Sequence, residues 1–92
     1  MKLYSANLPA PNPRRVRIFA AEKGIALPEV MLSLPEREHK SADHLGRNSL
    51  GQVPVLELDD GTTICETIAI CRYIDELHPE PPLVGGNAKE RA

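Results

Sequence analysis

Two short stretches of this chain carry residue types that could hold a ligand. At Cys65-Glu66-Thr67 an apolar strand pattern gives way to the clearest helical pattern in the sequence. Free backbone N–H groups at a helix start form an anion site. At Val53-Pro54 a proline stands where another strand begins. Its ring removes a backbone donor and is poorly tolerated in a central strand, so it marks a place where a bend is wanted, and a cis Xaa-Pro turn is one such place. Together the exposed backbone before Pro54 and the helix start at Glu66-Thr67 are expected to hold one small peptide-like ligand. A plainer reading stands beside this one, in which Glu66 and Thr67 only cap the helix.

The elements that must position these stretches are legible from period and punctuation. Lys2-Leu3-Tyr4-Ser5 is a short strand pattern, and the alternate prolines between Asn7 and Pro13 force a loop after it. Val16, Phe19 and Ala20, flanked by Ile18 and Ala21, recur at helical spacing, with Pro13 suited to the first helical position and Gly24 to the stop. Val30-Met31-Leu32 with Leu34 reads as a second strand, and its unbroken apolarity predicts burial on both faces in a parallel pair with the first. The polar run Glu36 to Arg47 reads as a surface excursion with at most a turn or two of helix around Ala42 to Leu45. Strands Val55 to Leu58 and Thr62 to Cys65 flank the turn Asp59-Asp60-Gly61, where Asp-Gly supplies the positive backbone angles of a tight hairpin. In the last helix Ile70, Tyr73, Ile74 and Leu77 recur at i, i+3, i+4, i+7, with Asp75 and Glu76 assigned to the outer face and His78-Pro79 to the end. The order β-α-β, excursion, β-β-α predicts an α/β fold of the thioredoxin-like kind, a mixed four-stranded sheet with helices against it.

Composition narrows the function. A length of 92 residues allows one compact domain, and 41% hydrophobic with 26% charged residues argues against disorder. A net charge of −2 provides no broad field for nucleic acid. No apolar run is long enough to span a bilayer, and Met1 to Pro11 lacks the apolar core of a signal peptide, so a cytoplasmic location without nucleic-acid or membrane partners is expected. Cys65 and Cys71 lack metal-ligand spacing and are read as reduced, core-type residues rather than as metal ligands or reactive thiols. Glu80 to Gly86 has the composition of a linker, and Asn87 to Ala92 reads as the first turns of a further helix. Residues 1–79 are thus expected to form one domain and 80–92 a linker into a helical second domain that lies outside this chain.

The segment Glu38 to Leu56, with Asp60-Gly61, Glu66-Thr67-Ile68-Ala69-Ile70 and Arg72-Tyr73-Ile74, resembles the N-terminal domain of cytosolic glutathione S-transferases, with similarity to phi-, theta- and nu-type members. The resemblance implies that glutathione is the co-substrate. It places the cysteinyl unit against the Val53 backbone as an added strand would lie. It assigns the γ-glutamyl amine to Glu66 and the neighbouring carboxylate to the N–H and hydroxyl of Thr67. His39-Lys40 matches a pair that holds the glycine carboxylate in phi members, although a solvated pair without a ligand role fits the same charge-rich loop. Gln52 is a further donor and Ala10 lies beside the thiol. A homodimer is implied, with the last helix and the hairpin in its interface, and Arg14, Arg15 and Arg17 are read as exposed helix or interface-rim residues rather than a basic patch.

One departure bears on catalysis. The nucleophile is the thiolate, and a thiol near pKa 8.5 is mostly protonated at neutral pH. Members of the family commonly carry Ser or Cys before the first helix to stabilise the thiolate, whereas this chain has Ala10-Pro11-Asn12-Pro13. The same tetrapeptide lacks the two cysteines of dithiol redox chemistry. Asn12 matches an amide donor used by nu-type members, and it also suits the N-cap of a helix beginning at Pro13. Ser5 is the second-choice hydroxyl, while Tyr4 is expected to point into the core. The resemblance therefore implies an enzyme that uses glutathione on an electrophile or a peroxide, with Asn12 and Ser5 as candidate catalytic groups. The alternative is a non-catalytic binding or assembly module of the same fold.

Overall fold

A computed structural model describes residues 1–6 and 9–92. The first part of the loop expected from Asn7 lies outside the described residues. The chain forms β1 (Lys2–Ala6), α1 (Pro11–Glu22), β2 (Glu29–Leu32), a single 3-10 turn (Glu38–Lys40), α2 (Ala42–Arg47), β3 (Val55–Glu57), β4 (Thr63–Cys65), α3 (Thr67–Leu77) and α4 (Ala88–Arg91). The sheet order is β2-β1-β3-β4, with β1 and β2 parallel and the other two pairs antiparallel. This is the mixed four-stranded α/β sheet that the element order predicts.

Strand alternation sorts the core into two layers. Leu3 and Leu56, directly paired across β1 and β3, face the helices and pack with Val16 of α1 and Ile70, Cys71 and Ile74 of α3. Tyr4 and Val55, the next pair, face the other way and pack with Leu32, Val53 and Cys65. On that second face the Tyr4 ring meets the edge of the His44 ring at a centroid separation of 6.2 Å, and the Arg47 guanidinium lies 3.8 Å from its centre. The excursion therefore folds back over the sheet, and His44 is fully buried rather than on the surface.

Three further expectations are corrected. β2 is an edge strand: Glu29, Val30 and Met31 are exposed and only Leu32 is buried, because β2 has one neighbouring strand and the helix-facing core contains none of its residues. Asp75 is not on an outer face but 6% exposed, its carboxylate 2.7 Å from the Lys23 ammonium. Arg17 is half-buried, reaching Ser5 and Glu29, while Arg14 and Arg15 are exposed as expected. The two glycine turn signals hold. Gly61 at φ 89° closes the hairpin with its N–H on the Leu58 carbonyl, a conformation that costs an L side chain energy but not glycine. The N–H groups of Lys23, Gly24 and Ile25 bond back to Phe19, Ala21 and Ala20 and end α1 where expected. Both cysteines are free, Cys71 buried and Cys65 half-buried, and burial pushes both thiols up from their usual range, so neither is an activated nucleophile.

Candidate active site

The starts of α1 and α3 and the turn before β3 meet at one shallow recess, lined by Asn12, Asn48, Gln52, Val53, Pro54, Glu66 and Thr67. The Val53-Pro54 bond is cis. Among the described residues neither the N–H nor the C=O of Val53 has a main-chain partner, so an edge of extended backbone is open to a ligand. Across the recess, α3 begins without a side-chain cap, which leaves its first N–H groups, Thr67 foremost, without an intrahelical partner. Glu66, the residue before it, is exposed and sits at φ 75° and ψ 126°, a region that a non-glycine residue occupies only at a cost in energy. A carboxylate presented beside three open helix donors can pair an amine and a carboxylate that are close together, as on one α-amino acid.

The α1 start differs from the expectation. The helix begins at Pro11, not Pro13, and Ala10 is its N-cap with no side-chain bond. Asn12 therefore lies inside the first turn and does not cap it. Pro11 and Pro13 have no N–H, so of the first three helical positions only Asn12 has a donor to offer. The Asn12 Oδ1 accepts from Arg15 at 3.2 Å, which leaves the Nδ2 donor of the same amide without a partner among the described residues. The chemistry available at this end of the recess is thus one backbone N–H and one side-chain amide NH2, both suited to an anionic atom.

Of the residues singled out in the sequence, Asn12, Gln52, Val53, Pro54, Glu66 and Thr67 come together here. Ala10 is two residues away at the α1 cap. Ser5 is not brought to the recess. It follows Tyr4 in β1 and so faces α1, is 0% exposed, and its Oγ accepts from Arg17 at 2.9 Å. His39 and Lys40 do not line the recess but lie against the turn that leads into it: Lys40 donates to the Leu50 carbonyl at 3.0 Å, and a Cβ placed on Gly51 would lie 2.9 Å from the Lys40 side chain. Gly51, at φ 63°, is required by both its backbone angle and this close approach. Burial, then the charges of Lys40, Arg37 and His44, holds His39 below its ordinary value, which favours the neutral imidazole.

Asn48 is the lining residue that sequence reasoning missed. It is buried; its Nδ2 donates to the Gln52 carbonyl at 3.3 Å and its Oδ1 accepts from Leu50 N–H at 3.1 Å. The signal was its position four residues before Gln52, at the end of α2, where an Asx side chain commonly closes a turn.

A mixed four-stranded sheet of this order with helices against it defines a thioredoxin-like domain. The sequence profile of the N-terminal domain of glutathione S-transferases matches residues 10–77, and the chain belongs to that family. It is 45% identical to glutathione S-transferase 2 of Saccharomyces cerevisiae, a match covering 98% of this chain and 40% of that protein. Among solved structures, a glutathione S-transferase domain-containing protein of Marinobacter aquaeolei superposes with a TM-score of 0.93 at 43% identity, covering 99% of this chain and 45% of the other. A glutathione transferase homologue from Sulfitobacter with bound glutathione superposes with a TM-score of 0.86 at 28% identity, over 98% and 42% of the two chains. The chain thus spans less than half the length of these relatives.

Proposed function

We propose that this chain is the glutathione-binding part of a glutathione transferase-like enzyme that directs the glutathione thiolate at an electrophile or a peroxide. The observation that carries the proposal is the convergence, in one recess, of the unpaired Val53 backbone beside cis-Pro54 and the uncapped start of α3. The cysteinyl unit pairs with Val53 as a short antiparallel strand, Glu66 takes the γ-glutamyl amine, and the Thr67 N–H and hydroxyl take the carboxylate next to it. The sulfur then points toward the α1 start, where the N–H groups of Asn12 favour the thiolate over the thiol. Gln52 provides a further polar contact, and the exposed Lys40 ammonium, which keeps donors free beyond its bond to the Leu50 carbonyl, is read as the cation for the glycine carboxylate. The glutathione-bound Sulfitobacter relative, which shares this fold, supports the assignment.

Residues 80–92, with α4 capped by Asn87, are read as the linker and first turn of a helical second domain that completes the electrophile pocket. The length of the relatives supports this. The exposed side of α3, with Ile68 and Arg72, and the adjoining hairpin are read as the share of a homodimer interface supplied by this domain. The two free thiols fit a reducing, cytoplasmic setting. Among the described residues no helix is long and apolar enough to cross a membrane, and no group of three or more His, Cys, Asp or Glu side chains is placed to hold a metal ion.

Ala10 favours a second reading, a binding or assembly module without transferase activity, because the α1 cap carries no hydroxyl or thiol to meet the sulfur. Two measurements separate them. Retention on immobilised glutathione that is lost in Glu66→Ala supports the ligand site, and a folded protein that is not retained counts against it. Conjugation of an aryl halide or reduction of a hydroperoxide that falls in Asn12→Ala supports the enzyme, whereas activity untouched by that change removes the role given to the amide.

A further inference from the structure

The His44 side chain is the most completely buried polar ring in the described chain, and the recess does not include it. Its Nε2 lies 2.7 Å from the Gln52 carbonyl, and its Nδ1 lies 3.2 Å from Nη1 of Arg47. A guanidinium only donates, so Nδ1 is the acceptor and the ring proton sits on Nε2, directed at Gln52. The Arg47 guanidinium is in turn held over the Tyr4 ring, and the Arg47 carbonyl accepts from the Thr63 hydroxyl at 3.2 Å, which ties α2 to β4. The Asn48 amide adds a second, longer bond to the same Gln52 carbonyl.

That carbonyl shares a peptide plane with the Val53 N–H. The bond between residues 52 and 53 is trans, and in a trans peptide the C=O and N–H point in opposite directions. Pinning the Gln52 oxygen toward His44 therefore aims the Val53 N–H away from the protein interior. We infer that His44, with its tautomer set by Arg47, is a positioning residue for glutathione: through the Gln52 carbonyl it pre-orients the Val53 N–H that the cysteinyl carbonyl of the ligand must meet. The inference rests on the glutathione reading above and deepens it. Without His44 the peptide plane is held only by the longer Asn48 bond and is freer to rotate, and the ligand must then restrain it on binding, which lowers affinity without removing any atom that touches the ligand.

The test uses the unsubstituted chain, His44→Phe, which keeps the ring and removes the donor, and His44→Gln, which restores an amide donor. Glutathione affinity is measured by calorimetry, the Val53 amide resonance is followed during titration, and unfolding midpoints are recorded alongside. The unsubstituted chain is expected to bind and to shift the Val53 amide. In His44→Phe affinity is expected to fall about tenfold and the Val53 shift to shrink, and His44→Gln should recover most of both. A folded His44→Phe that binds as the unsubstituted chain does overturns the positioning role while leaving the glutathione site standing. Failure of the unsubstituted chain to bind overturns the site itself and this inference with it. Should His44→Phe not fold, Arg47→Met decides, with an expected loss of about threefold; unchanged affinity in that variant overturns the role.

Discussion

The two ends of the α1–α3 pair are finished in opposite ways. At the C-terminal end Lys23 and Asp75 are buried against each other, the Lys23 ammonium also donates to the Pro81 carbonyl, and the Leu83 N–H donates to the Asp75 carboxylate at 3.1 Å. Both buried charges there are answered by the chain itself, and the segment after α3 is tied down as a consequence. At the N-terminal end the Val53 backbone, the first N–H groups of α3 and the Asn12 amide are left open, and Glu66 is held in a costly conformation beside them. These open donors, side by side at one end, are the groups that the proposed glutathione site would use.

The contrast can be broken most forcefully at the closed end. Lys23→Met leaves the Asp75 carboxylate buried without its cation, and the unfolding midpoint is expected to fall by about 10 °C or more. Thermal melts followed by circular dichroism check this, and a midpoint within about 2 °C of the unsubstituted protein would show that the pair is not what closes this end. At the open end the effects should separate. Glu66→Gly removes the carboxylate and relieves the strained backbone, so glutathione affinity should fall about tenfold while stability rises by about 1 kcal/mol. Loss of stability together with affinity would mean that Glu66 serves the fold rather than the ligand.

The smallest expected effect is one of pH. The hydrogen bond from Lys23, then that from Leu83 N–H and the Lys23 charge, hold Asp75 below its ordinary value of 3.8. Its contribution is therefore complete above that value and disappears as the pH falls through the lower, folded-state value. The stability gap between the unsubstituted protein and Asp75→Asn should accordingly be constant from about pH 5 to 7 and narrow below about pH 4 in urea titrations. A gap as wide at about pH 3 as at pH 6 contradicts the assignment.

Much of this site could be read locally. The cis-proline turn announced itself through one residue type at one place, and α3 through its apolar spacing. The departures have particular causes. Helical spacing shows that Asp75 neighbours Glu76, but not that Lys23 arrives from another helix. The apolar run of Val30 and Met31 does not show whether the strand has one neighbour or two. Asn12 suits a cap for a helix starting at Pro13, but the helix begins two residues earlier, since proline suits the first helical position and Pro11 already occupies it.

By itself the sequence determined the order of elements, the hairpin at Asp60-Gly61, the bend at Pro54 and the residues that open α3, because each of these depends on the backbone preferences and periodicity of near neighbours. Tertiary structure alone decided that Ser5 faces α1, that Lys23 meets Asp75, and that His44 lies under the sheet with its Nε2 donating to the Gln52 carbonyl. Those outcomes join residues far apart along the chain or depend on which face of a strand meets a helix, and such proximity is set by how the layers pack, which no local pattern records.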